Sequence, residues 1–222
     1  MTVQPTLFLF PGLGADGRVF ARQRFGPYKI VVPPWIEPEA DETLNEYTRR
    51  LAAGIDWPRR FVLGGVSFGG MAAQEMTQHV HPVGLVLLAS RTVSRSRAVP
   101  LFVANSLIQA RPDQPVESIA DIPRRLHEVY ADFPDEEKLL FADMLANEPV
   151  ERLRRFARMV APWHGVERVP CPRVVIHGTN DKVIPPEMSE PDVLIEGAGH
   201  LVNWTHADQV NQAIHSFVET LV

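Results

Sequence analysis

Three residues have the types and the spacing to do chemistry together: Ser67, Asp181 and His200. A serine hydroxyl is a weak nucleophile until a base takes its proton. A histidine becomes that base once a carboxylate fixes its tautomer. Each of the three stands just past a short apolar run. Ser67 lies in Gly65-Val66-Ser67-Phe68-Gly69, a G-x-S-x-G pattern, with an apolar run from Arg60 to Val66 before it and helix formers from Met71 to Met76 after it. Strand, serine and helix with almost no loop between them force a strained backbone. The residues two before and two after the serine must then be small. Asp181 follows the run Arg173–His177, and His200 follows Val193–Glu196. Singly, each has a plainer reading: a chance pentapeptide in a loop, a turn-forming aspartate, one histidine of eight. Their placement after separate strands, in the order Ser, Asp, His, is much harder to obtain by chance.

The elements that must position them read as alternating β and α. Thr6–Phe10, Tyr28–Val32, Arg60–Val66, Gly84–Ser90, Arg173–His177 and Val193–Glu196 are apolar runs of strand length without a wet face. Thr43 with Glu46 makes a capping box before a helix with Leu44, Tyr47 and Leu51 on one stripe. Thr205 with Asp208 suggests the same for a last helix, whose buried face is Val210, Ile214, Phe217 and Leu221. This pattern predicts an α/β fold: a mostly parallel sheet of about six strands with helices on both faces. Strand C-terminal ends share one edge of such a sheet, which brings Ser67, Asp181 and His200 together. Between residues 91 and 169 the alternation stops. Helical stretches near Leu101–Ala110, Ile122–Ala131, Pro134–Asn147 and Pro149–Ala161 read as a cap inserted into a core of residues 1–90 and 170–222. Arg91, Arg95 and Arg97 read as a solvated linker, and Arg154, Arg155 and Arg158 as a wet helix face.

Totals narrow the function classes. The 222 residues are 45% hydrophobic, enough for one domain to bury on the order of 70% of its unfolded surface. A net charge of −5 argues against a nucleic-acid or anionic-membrane footprint. The single cysteine, Cys171, excludes a disulfide framework and a cysteine metal site. Met1–Phe10 lacks a basic start and a long apolar core, and no run of about 18 apolar residues occurs. The expectation is therefore a cytoplasmic protein without a signal peptide, membrane span, metal or cofactor. Gly12, Gly14 and Gly17 also fit G-x-G-x-x-G, with Glu37 as a forced acidic partner. The helix after them is cut short by Gly26-Pro27, so the dinucleotide reading is disfavoured.

Pro11-Gly12-Leu13-Gly14, the Ser67 elbow, Gly178-Thr179-Asn180-Asp181 with Pro185, and Gly197-Ala198-Gly199-His200 together resemble the α/β-hydrolase family. The resemblance implies Ser67 as nucleophile, His200 as general base and Asp181 as its orienting acid. It implies an oxyanion hole from the backbone N–H groups of Phe68 and Leu13. The chain departs from many members in having Pro11 where they have histidine, and in a segment, Lys182 to Asp192, too short for a crossover helix. Apolar pocket walls are expected from Leu13, Phe68, Trp163, Val183 and Leu201, with Trp163 equally readable as packing between cap and core. The implied activity is an esterase or thioesterase on a small, largely apolar substrate. A lyase or acyltransferase on a small metabolite, or a ligand receptor with little turnover, remains an alternative.

Overall fold

Alternate residues along the inner strands fill two separate cores, as a sheet covered on both faces requires. In the computed structural model, which describes residues 5–24, 26–92, 108–109 and 133–221, Leu7 and Leu9 pack on one face of the sheet and Phe8 and Phe10 on the other. The same split recurs at Val62 against Leu63, Val86 against Leu87, and Val174 against Val175. Most of these side chains are fully buried, and each contributes roughly 1.5–3 kcal/mol relative to exposure.

The strands are β1 (Thr6–Phe10), β2 (Ile30–Val31), β3 (Phe61–Val66), β4 (Gly84–Leu88), β5 (Arg173–Gly178) and β6 (Val193–Ile195). They form one six-stranded sheet in the order β2-β1-β3-β4-β5-β6. Every pairing is parallel; Phe10 sits opposite Gly65, Val66 opposite Leu88, and Leu88 opposite Ile176. The second strand is shorter than the run Tyr28–Val32 suggests, because only Ile30 and Val31 reach register with β1.

Helix α1 (Leu44–Ala53) opens with the expected capping box, Thr43 accepting from the Glu46 N–H while Glu46 accepts from the Thr43 N–H. Helix α2 (Phe68–Met76) is buried at every position. Helices α3 (Asp135–Ala146) and α4 (Val150–Val160) match the last two helical stretches expected between β4 and β5. The first two, Leu101–Ala110 and Ile122–Ala131, lie outside the described residues except for positions 108 and 109, which are helical. Helices α5 (Val202–Thr205) and α6 (Ala207–Glu219) close the chain.

Three expectations need correction. Thr205 does not cap the last helix. It ends α5, its hydroxyl bonds back to the Leu201 carbonyl at 3.2 Å, and α6 starts beyond His206 without a side-chain cap. Arg91 is not a solvated linker residue: it is 7% exposed, with its guanidinium carbon 5.9 Å from the Trp163 ring centre. Arg95 and Arg97 lie outside the described residues. Arg154 and Arg155 are half-buried and bonded to Glu151, and Arg155 also reaches the Pro38 carbonyl at 2.6 Å, so only Arg158 lies on a wet face.

The glycine loop after β1 leads into a single 3-10 turn, Gly17–Phe20, rather than a crossover helix. Glu37 is held by Arg152 at 3.1 Å. Neither feature suits a dinucleotide site. Among the described residues, no helix is long and apolar enough to cross a membrane.

Candidate active site

The elbow is built by glycines that let β3, α2 and β1 cross without side chains. A Cβ on Gly65 would meet the Phe10 carbonyl oxygen at 2.7 Å and run into the backbone of Gly69. A Cβ on Gly69 would collide with the Phe10 carbonyl itself. Ser67, between them, takes φ 56° and ψ −120°, a left-handed conformation that a non-glycine residue adopts only under constraint. The constraint comes from β4: the Ser67 N–H bonds to the Leu88 carbonyl at 2.9 Å, and the Ser90 hydroxyl donates to the Ser67 carbonyl at 2.8 Å.

Ser67 meets Asp181 and His200, which lie more than a hundred residues further along the chain, at the C-terminal edge of the sheet. His200 Nε2 lies 3.0 Å from Ser67 Oγ, and His200 Nδ1 lies 2.8 Å from Asp181 Oδ2. An ionised carboxylate only accepts, so Nδ1 carries the proton. Nε2 is then free to accept from the serine hydroxyl.

Asp181 is buried and its lone pairs are occupied. Its Oδ1 accepts the N–H groups of Val183 at 2.8 Å and Ile184 at 2.9 Å. Burial alone would push its carboxyl up. The charge of His200, with N–H donors from His177, His200 and Ile184, outweighs that and holds it well below the usual carboxylate range.

The loop after β1 lies beside the serine. A Cβ on Gly12 would sit 3.4 Å from Ser67 Cβ, and Gly14, at φ +73°, leaves room for Leu145 of α3 to press on the loop. The backbone N–H groups of Leu13 and Phe68 have no hydrogen-bond partner among the described residues. The Phe68 N–H opens α2, whose N-terminal dipole end favours negative charge.

A cavity of about 620 Å³ borders His200, within the size range of small-molecule sites. Val183 and Leu201 line it together with Arg22, Glu137, Asn180 and Lys182, so its wall is mixed polar and apolar. Trp163 is not part of that wall. It is buried, and its indole N–H donates to Glu75 of α2 at 2.7 Å, a contact between the returning chain and the core.

One neighbour escaped the sequence reading. His177 ends the apolar run Arg173–His177 and is fully buried, and it bonds to Asp181 itself, with Nε2 3.0 Å from Oδ2. The signal was available: the two residues stand four apart across the Gly178-Thr179-Asn180 turn. Among the described residues, no group of three or more His, Cys, Asp and Glu could hold a metal ion.

Comparison with known proteins agrees with this architecture. Residues 6–213 match the model of the alpha/beta hydrolase family, and the chain belongs to that family. Among solved structures, it is similar to an esterase from Thermogutta terrifontis, with a TM-score of 0.72 and 20% identity over 98% of this chain and 90% of that one. It is also similar to an enol-lactonase from Burkholderia xenovorans LB400, with a TM-score of 0.75 and 17% identity over 98% and 92%. At such identities the likeness is one of fold. A curated relative from Synechocystis sp., named after non-heme chloroperoxidases, is 34% identical over 62 residues, which span 23% of this chain and 22% of that protein.

Proposed function

We propose that the protein is a serine hydrolase of esterase or thioesterase type. It cleaves an ester-like bond of a small, largely apolar substrate through an acyl-enzyme. The observation that carries this reading is the hydrogen-bonded chain Ser67–His200–Asp181, at 3.0 and 2.8 Å, on a strained turn at the sheet edge. Ser67 Oγ attacks the carbonyl carbon while His200 Nε2 takes its proton. Asp181 holds the ring and balances the imidazolium. The oxyanion of the tetrahedral intermediate accepts from the Leu13 and Phe68 N–H groups, and losing one such donor costs roughly 10²–10³-fold in rate. His200 then returns the proton to the leaving oxygen or sulfur. Water, activated by the same histidine, releases the acid and restores the serine. In this reading residues 1–90 and 170–222 form the catalytic core, and residues 91–169 form a cap over it. No metal or cofactor enters the reaction.

The test is a fluorophosphonate probe together with p-nitrophenyl esters of graded chain length and acyl-CoA thioesters. The probe labels Ser67 in the wild type, and Ser67→Ala loses both labelling and turnover. A folded wild-type protein that resists the probe beside a reactive control refutes the reading. So does turnover that survives in Ser67→Ala.

A further inference from the structure

Two histidines share one oxygen of Asp181, and only one of them reaches Ser67. His177, near the end of β5, is fully buried. Its Nε2 lies 3.0 Å from Asp181 Oδ2 and 2.7 Å from the Ile184 carbonyl. Both partners are acceptors, so Nε2 carries a proton. On the other side of the ring, Nδ1 lies 2.8 Å from the hydroxyl of Ser189, which is also buried. In the neutral ring that hydroxyl donates to Nδ1. The Pro186 carbonyl, 3.0 Å away, competes for that single hydroxyl proton, and Nδ1 is the nearer acceptor. The other oxygen of Asp181 is committed to the N–H groups of Val183 and Ile184. The carboxylate is therefore held on every side, and the share of Oδ2 charge felt by His200 depends on what His177 takes.

We propose that His177, oriented by Ser189, is a positioning residue for His200: it fixes the Asp181 carboxylate from the far side and limits how strongly Oδ2 draws the His200 proton. The inference rests on the serine-hydrolase reading. His177 itself touches no substrate, since none of its surface is exposed. The titratable groups facing it are Asp181 and His200. Lys182 and Glu190 stand exposed on the flanking turns, and Asp192 is bonded to the Val175 N–H at 2.8 Å, two residues earlier on the strand.

The consequence has a sign. Without the His177 N–H, Oδ2 becomes a better acceptor for His200 Nδ1–H and favours the imidazolium. The acid limb of kcat/KM then moves to higher pH. The carboxylate is also looser, so kcat falls while KM stays.

The experiment compares His177→Leu, which removes the donor, with His177→Gln, whose amide nitrogen reaches where Nε2 stood. Both are read by pH profiles on a p-nitrophenyl ester. The expected result is a kcat about tenfold lower in His177→Leu, the size of effect that loosening a catalytic group produces, an unchanged KM and an acid limb at higher pH. His177→Gln recovers most of kcat and returns the limb. A parent-like profile in His177→Leu overturns the inference, as does a glutamine variant no better than leucine. Nitrogen-15 NMR of the wild type covers the case of an unfolded variant: His177 is expected to keep its Nε2 proton through the acid limb, and a neutral Nδ1–H ring refutes the assignment. Fluorophosphonate labelling runs alongside. Labelled wild type with an indifferent His177 overturns this inference alone, whereas unlabelled wild type overturns the serine-hydrolase reading.

Discussion

Replacing Trp163 by phenylalanine separates two roles that the sequence leaves equally open, substrate contact and packing between cap and core. The indole N–H donates to Glu75 Oε1 at 2.7 Å, and Glu75 is buried in α2, where its other oxygen accepts from Asn45 at 2.8 Å. Phenylalanine removes the donor and leaves one carboxylate oxygen buried and unsatisfied. A hydrogen bond to a charged group contributes about 1.5–3 kcal/mol. The weakened contact between Arg91 and the ring adds about 0.5–1 kcal/mol. Together these give a loss of roughly 2–4 kcal/mol, or about 4–16 °C in Tm for a chain of this length. Urea denaturation and a thermal melt measure it. Ester hydrolysis measured in parallel is expected to keep kcat/KM within about twofold, because Trp163 lies outside the wall of the cavity at His200. Adding Glu75→Gln closes a double-mutant cycle, in which a coupling of about 1 kcal/mol is expected. A variant of parent stability with a raised KM would refute the packing argument and return Trp163 to the substrate pocket.

Two further outcomes test the elbow and the lone thiol. Gly69→Ala drives a Cβ into the Phe10 carbonyl and is expected to cost about 2 kcal/mol or more, whereas Gly199→Ala, with open space around the new atom and no positive φ, stays within about 0.5 kcal/mol; equal urea midpoints would contradict this. Burial pushes the Cys171 thiol up to about 11, so alkylation of the folded protein by iodoacetamide at pH 8 is expected roughly 100-fold slower than for an ordinary thiol and to rise about tenfold per pH unit up to pH 10. Fast alkylation at pH 8, followed by mass spectrometry, would refute that placement.

Legibility followed range along the chain. The elbow was readable because its logic is local: strand, serine and helix formers adjoin, and Gly65 and Gly69 stand where the crossing needs them. The parallel sheet was readable because strands buried on both faces leave continuous apolar runs, and Asp181 and His200 then fell at the same edge. Contacts decided in three dimensions were not readable. Glu75 receives the Trp163 N–H from 88 positions away, and no pattern near either residue announces it. Arg91 looked like one of three spaced cations, yet it stands at the exit of β4 and is covered from above. Thr205 had a cap's spacing, but its hydroxyl had a nearer acceptor in the turn behind it. His177 ends an apolar run, but its bond to Asp181 depends on how tightly Gly178-Thr179-Asn180 folds back. A mixed wall on the cavity at His200 was beyond reach for the same reason: Arg22 and Glu137 enter it from the far side of the chain.

The strand order also sets a timetable. Everything that fixes the serine turn, namely Phe10, Gly65, Gly69, Leu88 and Ser90, belongs to the first part of the chain. His200 comes 133 positions after Ser67. At a synthesis rate of roughly 5–20 residues per second, that separation is on the order of ten seconds on the ribosome. Through that interval the growing chain holds the residues of the serine turn but not the histidine that bonds to it. The contacts among Ser67, His200 and Asp181 form only once β5 pairs with β4 and β6 with β5, so the last strands to be made complete the arrangement.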